Sequence, residues 1–91
     1  AFLGLAKMQR LDWRGMRQRL QQVLFERETI TLSELLADHP PSGVVEVVGY
    51  LQIARDDGHL IDPDTIDRVV LPADEGGLLE ITMPLVRFIA S

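Results

Sequence analysis

From Trp13 through Met16, Leu20, Val23 and Leu24, apolar residues return at three- and four-residue steps, with the aliphatic stem of Arg27 next in the series. Arg14, Arg17, Gln18 and Gln21 fall on the opposite side. This is the period of an amphipathic helix, and Asp12 stands where an N-cap carboxylate serves the first turn. Ahead of it, Phe2, Leu3, Leu5 and Met8 predict a linker or an extra N-terminal helix over residues 1–10. A second helix starts at Thr31-Leu32-Ser33-Glu34, a capping box with Ile30 and Leu35 placed as a hydrophobic staple. It is entered from an extended Thr29-Ile30. It ends ahead of Pro40-Pro41, because a residue that precedes proline is pushed out of the helical region.

The stretch from Val44 to Asp57 predicts a third helix, capped by Ser42 and stopped by Gly58 in a left-handed turn. At about 100° per residue, Val44, Val47, Val48, Leu51 and Ala54 gather on one side as the expected core stripe. Glu46, Gly49, Gln52, Asp56 and Asp57 take the other side, with Ile53 in its middle and Tyr50 at its edge. Those two large side chains would then face water. A partner that buried them would gain roughly 1.5 to 3 kcal/mol for each.

Beyond Gly58, His59-Leu60-Ile61 and Asp67 to Leu71 read as extended, and Ala73 to Gly77 reads as a loop between strands. Leu79, Ile81 and Met83 alternate with Glu80 and Thr82, so one face is buried and the other wet. Pro84 to Ile89, rich in β-branched and aromatic residues, predicts a further strand. Helix, short strand, helix, helix and then a hairpin is the order of an α+β winged helix-turn-helix domain. The prediction is three helices, a β-hairpin wing and a C-terminal strand over residues 11–91.

A chain of 91 residues has room for one modest core and none for a cleft between lobes, so no enzyme is expected. The absence of cysteine removes disulfides and thiolate metal sites and fits a reducing compartment. No apolar run approaches the roughly 20 residues that cross a bilayer, and no signal-peptide pattern is present; a cytoplasmic protein with no membrane partner is expected. A start at Ala1-Phe2-Leu3 without an initiator methionine predicts a piece of a longer chain. The net charge of −5 is uneven. Lys7, Arg10, Arg14, Arg17 and Arg19 face only Asp12 in the first nineteen residues, whereas acids dominate the rest.

Tests for chemistry fail one by one. Asp62-Pro63-Asp64-Thr65-Ile66-Asp67 opens like a calcium loop, but Asp67 and Ala73 stand where glycine and a bidentate glutamate are required. The segment reads instead as a turn, with aspartates accepting local amide hydrogen bonds. His39 and His59 lack ligand partners at helical spacing. Ser33, Ser42 and Ser91 sit at helix starts or the chain end, not on a nucleophile elbow. Gly76-Gly77 is explained by turn geometry without a phosphate. No metal or cofactor is expected. Nor is the third helix suited to DNA, because Glu46, Asp56 and Asp57 would be repelled by phosphates and base readers are scarce. Arg10, Arg14 and Arg17 are the candidates for contact with a DNA backbone, a sequence-independent kind of binding.

The run ITLSELLADHP followed by EVVGYLQIARDDGHLI resembles the C-terminal winged-helix domain of bacterial kleisins, the chains that close SMC condensin rings. Pro84-Leu85-Val86-Arg87-Phe88 is similar to the Pro-x-Val-x-Phe strand of the kleisin subunit in the MukBEF-like condensins called MksBEF or Wadjet. The resemblance spans residues 16 to 89. It implies a non-catalytic module that docks on an SMC ATPase head, within a nucleoid-associated complex that extrudes DNA loops for plasmid defence or chromosome organisation. ATP would be bound by the partner, since this chain holds no ATP-binding motif, and DNA would be met only weakly or through the complex. The contact role in kleisins falls on the third helix and wing. It is carried here onto Tyr50 and Ile53, with Gly49 on the same face, and onto Leu79, Ile81 and Met83. Two other readings stay open: a DNA-binding transcriptional regulator using the basic N-terminal segment, and a homodimerising adaptor.

Overall fold

A computed structural model of the chain describes residues 11–73 and 75–90. The predicted linker or extra helix over 1–10, Arg10 included, lies outside the described residues. Helix α1 spans Trp13–Arg27, and the Asp12 carboxylate accepts the Gly15 backbone N–H at 3.0 Å. Met16, Leu20 and Leu24 form its buried stripe, with Trp13 and Val23 half-buried beside it. The chain reverses at Glu28, whose φ is +66°, and enters strand β1, Thr29–Thr31.

The capping box is complete. Thr31 Oγ1 accepts the Glu34 N–H at 3.3 Å, and Glu34 Oε1 accepts both the Thr31 N–H and its hydroxyl, at 3.3 and 2.8 Å. Helix α2, Leu32–Asp38, follows and places Leu32, Leu35 and Leu36 in the core. Arg27 donates to Asp38 at 2.9 Å and lies 3.4 Å from Glu34, tying α1 to α2.

Helix α3, Val44–Asp56, starts differently from expectation. Gly43, not Ser42, occupies the cap and makes no side-chain bond. Glu46 instead reaches back to accept from both the backbone N–H and the hydroxyl of Ser42, each at 3.1 Å. Its other end matches the sequence: Gly58 takes φ +74°, and the His59 N–H closes on the Ala54 carbonyl at 2.8 Å.

Two long strands complete the fold, β2 at Leu60–Pro72 and β3 at Leu78–Ile89, in an antiparallel sheet of order β1-β3-β2. The described chain is therefore α+β, three helices against a three-stranded antiparallel sheet. Where the pattern predicts separate extended segments around 62–67 and a distinct C-terminal strand from Pro84, each is one continuous strand. The interruption is a bulge: Asp62 pairs with Leu85 and Ile66 with Pro84, leaving Pro63 to Thr65 unpaired on β2. Asp62 folds that bulge by accepting the Asp64 N–H at 3.0 Å and the Thr65 hydroxyl at 2.6 Å. Proline lacks a ladder donor and is tolerated at such irregularities. Pro84 sits at this one, and β1 pairs with β3 only further on, at Arg87 to Ile89.

The core gathers side chains from all six elements. Tyr50 and Phe88 are its largest fully buried members, meeting edge to face at 6.4 Å between ring centres. His59 packs edge-on to Phe88 at 5.2 Å and accepts the Ile89 N–H on Nδ1 at 3.2 Å.

Candidate protein-binding surface

Helix α3 meets the rest of the molecule on a side that keeps Val47 and Ala54 of the expected core stripe but exchanges Val44, Val48 and Leu51 for Gly49, Tyr50 and Ile53. Val47, Gly49, Tyr50, Ile53 and Ala54 are buried, with Tyr50 and Ile53 at 0 % exposure. Val44 and Val48 are 46 % and 38 % exposed. The helix is turned by about 100°, one residue's worth of rotation, from the expected setting. The assignment of Tyr50, Ile53 and Gly49 to a partner-binding face is therefore corrected: all three are core.

The physical reason lies in three side chains and one gap. Tyr50 and Ile53 carry more apolar surface than the valines they displace, so turning them inward recovers more hydrophobic free energy. The tyrosine hydroxyl is satisfied inside, accepting from Arg19 Nη1 at 3.0 Å, and Arg19 also lies 3.4 Å from Glu46. Gly49 opens the space for α1: a Cβ there would stand 2.8 Å from Leu11 Cδ1 and 2.9 Å from Met16 Cε. Burial pushes the Tyr50 hydroxyl above its usual range, against the opposing pull of Arg19, and the bond to Tyr50 raises the Arg19 guanidinium further. A mid-helix glycine next to the tyrosine is the available sign of a close helix approach.

What α3 presents to solvent is the row Val44, Val48 and half-buried Leu51, flanked by Gln52 and Arg55. Its lower part joins the sheet around a shallow groove of about 300 Å³, lined by Val48, Leu51 and Arg55 from α3, Ile61 from β2, and Met83 and Pro84 from β3. Of the three hairpin residues singled out by alternation, Leu79 is exposed, whereas Ile81 and Met83 are partly buried against the core. Met83 alone among them lines the groove. The sequence pattern does not mark Val44, Val48, Ile61 or Pro84 as surface residues. The valines looked like core, and the bulge that brings Pro84 and Ile61 together has no local signature.

The acidic residues of the expected outer face are largely engaged. Glu46 binds Arg19 and Ser42, Asp57 lies 3.5 Å from Arg17, and Asp56 accepts from Gln52 at 2.9 Å. Of the residues proposed for a DNA backbone, Arg17 is thus paired. Arg14 is exposed and ion-pairs with none of the described residues. A second, larger groove of about 600 Å³ runs between α1, the turn after α3 and the end of β3, where Phe25 is 90 % exposed beside Leu24, His59 and Ile89.

Among the described residues, no group of three or more His, Asp or Glu side chains could hold a metal ion. No helix among them is long and apolar enough to cross a membrane. The surface is a shallow apolar groove on a small α+β scaffold. Residues 4–88 match the family model described as a protein of unknown function, DUF3375, and the chain belongs to that family. A comparison with curated proteins finds no match.

Proposed function

We propose that this chain is a winged-helix docking module of the kleisin type, which binds the ATPase head of an SMC protein in a condensin-like complex acting on DNA. The order helix, strand, helix, helix and long hairpin supports the winged-helix reading. The observation that carries the docking reading is the solvent-facing row Val44, Val48 and Leu51 and its continuation onto Ile61, Met83 and Pro84. Contiguous exposed apolar surface is costly in water and marks contact sites. The net charge of −5 and the pairing of Arg17 favour a protein over a nucleic acid as its occupant. Plasmid defence and chromosome organisation are the two tasks such a complex performs, in the cytoplasm at the nucleoid.

Calorimetric titration against the purified ATPase head of a MksB-type SMC protein tests the proposal. The wild-type chain is expected to bind, and Val48→Arg to weaken binding about 10-fold or more with an unchanged circular dichroism spectrum. Equal affinity of the two, or no binding by the wild type, would remove the reading.

A further inference from the structure

The groove between α3 and the sheet is lined by apolar side chains together with Gln52 and Arg55, and Arg55 is the charged one among them. Arg17, Arg19, Arg27 and Arg68 each lie within 4 Å of a carboxylate of this chain. Arg55, like Arg14 and Arg87, has no ion pair among the described residues, and of the three it is the one that borders the groove, although two aspartates follow it directly in sequence. Asp56 turns back to the Gln52 amide and Asp57 crosses to Arg17, so neither compensates it. In a chain with fourteen acids and nine lysines and arginines, an unmatched cation beside an apolar groove is complementary to an external anion.

We propose that Arg55 is the charged anchor of the docking surface: the partner segment that packs on Val48, Leu51 and Met83 carries a carboxylate that pairs with Arg55. The inference rests on the head-docking reading and names the chemistry of its occupant, an apolar protein segment flanked by Asp or Glu. Arginine suits the task, because its planar fork binds a carboxylate through two parallel hydrogen bonds and its weak hydration lowers the cost of burial at an interface. The apolar contacts supply adhesion without direction, and the ion pair sets register.

The test measures affinity for the same SMC head at low and moderate salt, for the wild type, Arg55→Lys, Arg55→Glu and Val48→Arg. All three variant side chains project from an exposed position, and circular dichroism checks that each chain is folded. Arg55→Glu is expected to weaken binding about 30-fold or more at low salt, Arg55→Lys by less than about 10-fold, and the salt dependence to flatten in Arg55→Glu. Arg55→Glu binding within about two-fold of wild type while Val48→Arg fails would overturn this inference and leave the head-docking reading standing. A wild-type chain that ignores the head overturns both. Should that chain instead bind a DNA duplex in a manner lost in Arg55→Glu, the anion is phosphate and the carboxylate assignment is wrong.

Discussion

The two long sides of α3 carry comparable numbers of apolar residues and meet opposite fates. Val47, Tyr50, Ile53 and Ala54 are sealed against α1 and the sheet, whereas Val44 and Val48 are exposed and Leu51 is only half-buried. Both sides satisfy the same helical period, so periodicity cannot choose between them. The choice follows from what each side can do with its polar atoms and its volume. The inner side holds a tyrosine whose hydroxyl finds Arg19 and a glycine that admits α1, and the outer side holds the smaller Val44 and Val48, whose exposure forfeits less apolar burial than exposing Tyr50 and Ile53 would. Comparable hydrophobicity on two sides of one helix thus marks one of them as surplus to folding, and surplus apolar surface is where a partner is expected.

The sharpest way to break this comparison is to truncate one residue on each side. Ile53→Ala is expected to lower stability by about 2 to 5 kcal/mol in urea unfolding, and Val48→Ala to change it by less than about 0.5 kcal/mol, as surface substitutions do. Similar losses for the two would mean that the helix is turned the other way.

A smaller effect probes the polar fitting of the inner side. Tyr50→Phe keeps the ring and removes the acceptor of the Arg19 bond, for an expected cost of about 0.5 to 1.5 kcal/mol. Tyr50 is the single tyrosine, so the ultraviolet absorbance of tyrosinate reports on it directly. Its folded pKa is raised above the ordinary value of 10.0. The stabilisation it contributes is therefore complete below that pH and is lost as pH rises through the raised value. In the native chain the absorbance should change only above the range of free tyrosine, together with unfolding. Ionisation at the ordinary pH, without unfolding, would place the ring on the surface.

The smallest expected effect lies at the α2 capping box, which is indifferent to the setting of α3. Glu34 is held below its ordinary value of 4.5, first by the Thr31 hydroxyl and then by the Thr31 N–H. A lowered carboxylate adds stability above its unfolded pKa and loses it as pH falls through the folded one. The stability difference between wild type and Glu34→Gln should thus be present at neutral pH and shrink below about pH 4.5 in acid denaturation. A constant difference down to low pH would show that the carboxylate charge takes no part in the cap.

Local signals proved readable wherever the partners lie within a few residues of one another. Asp12 with Gly15, Thr31 with Glu34, Gly58 at positive φ and the Asp62 turn all stand in the fold as the sequence predicts them. Ser42 is the local exception, since Glu46 inverts the cap by reaching back to it. Strand continuity was less readable. Pro63 and Pro84 signal breaks, yet the breaks oppose each other across the ladder and become one bulge within two long strands. The candidate surface suffered most, because Ile61, Met83 and Pro84 join Val48 only through pairing between distant segments.

By itself, then, the sequence determined the helices, the caps of α1 and α2, the hairpin and the acidic balance of the chain, since these depend on residue type and on neighbours three or four positions away. The rotation of α3 was decided only in the tertiary structure, and with it which apolar residues reach solvent. Two apolar stripes of the same period compete for one core, and the winner is the one that carries the larger side chains and the glycine gap and whose tyrosine hydroxyl finds its partner, Arg19, on a helix some thirty residues upstream.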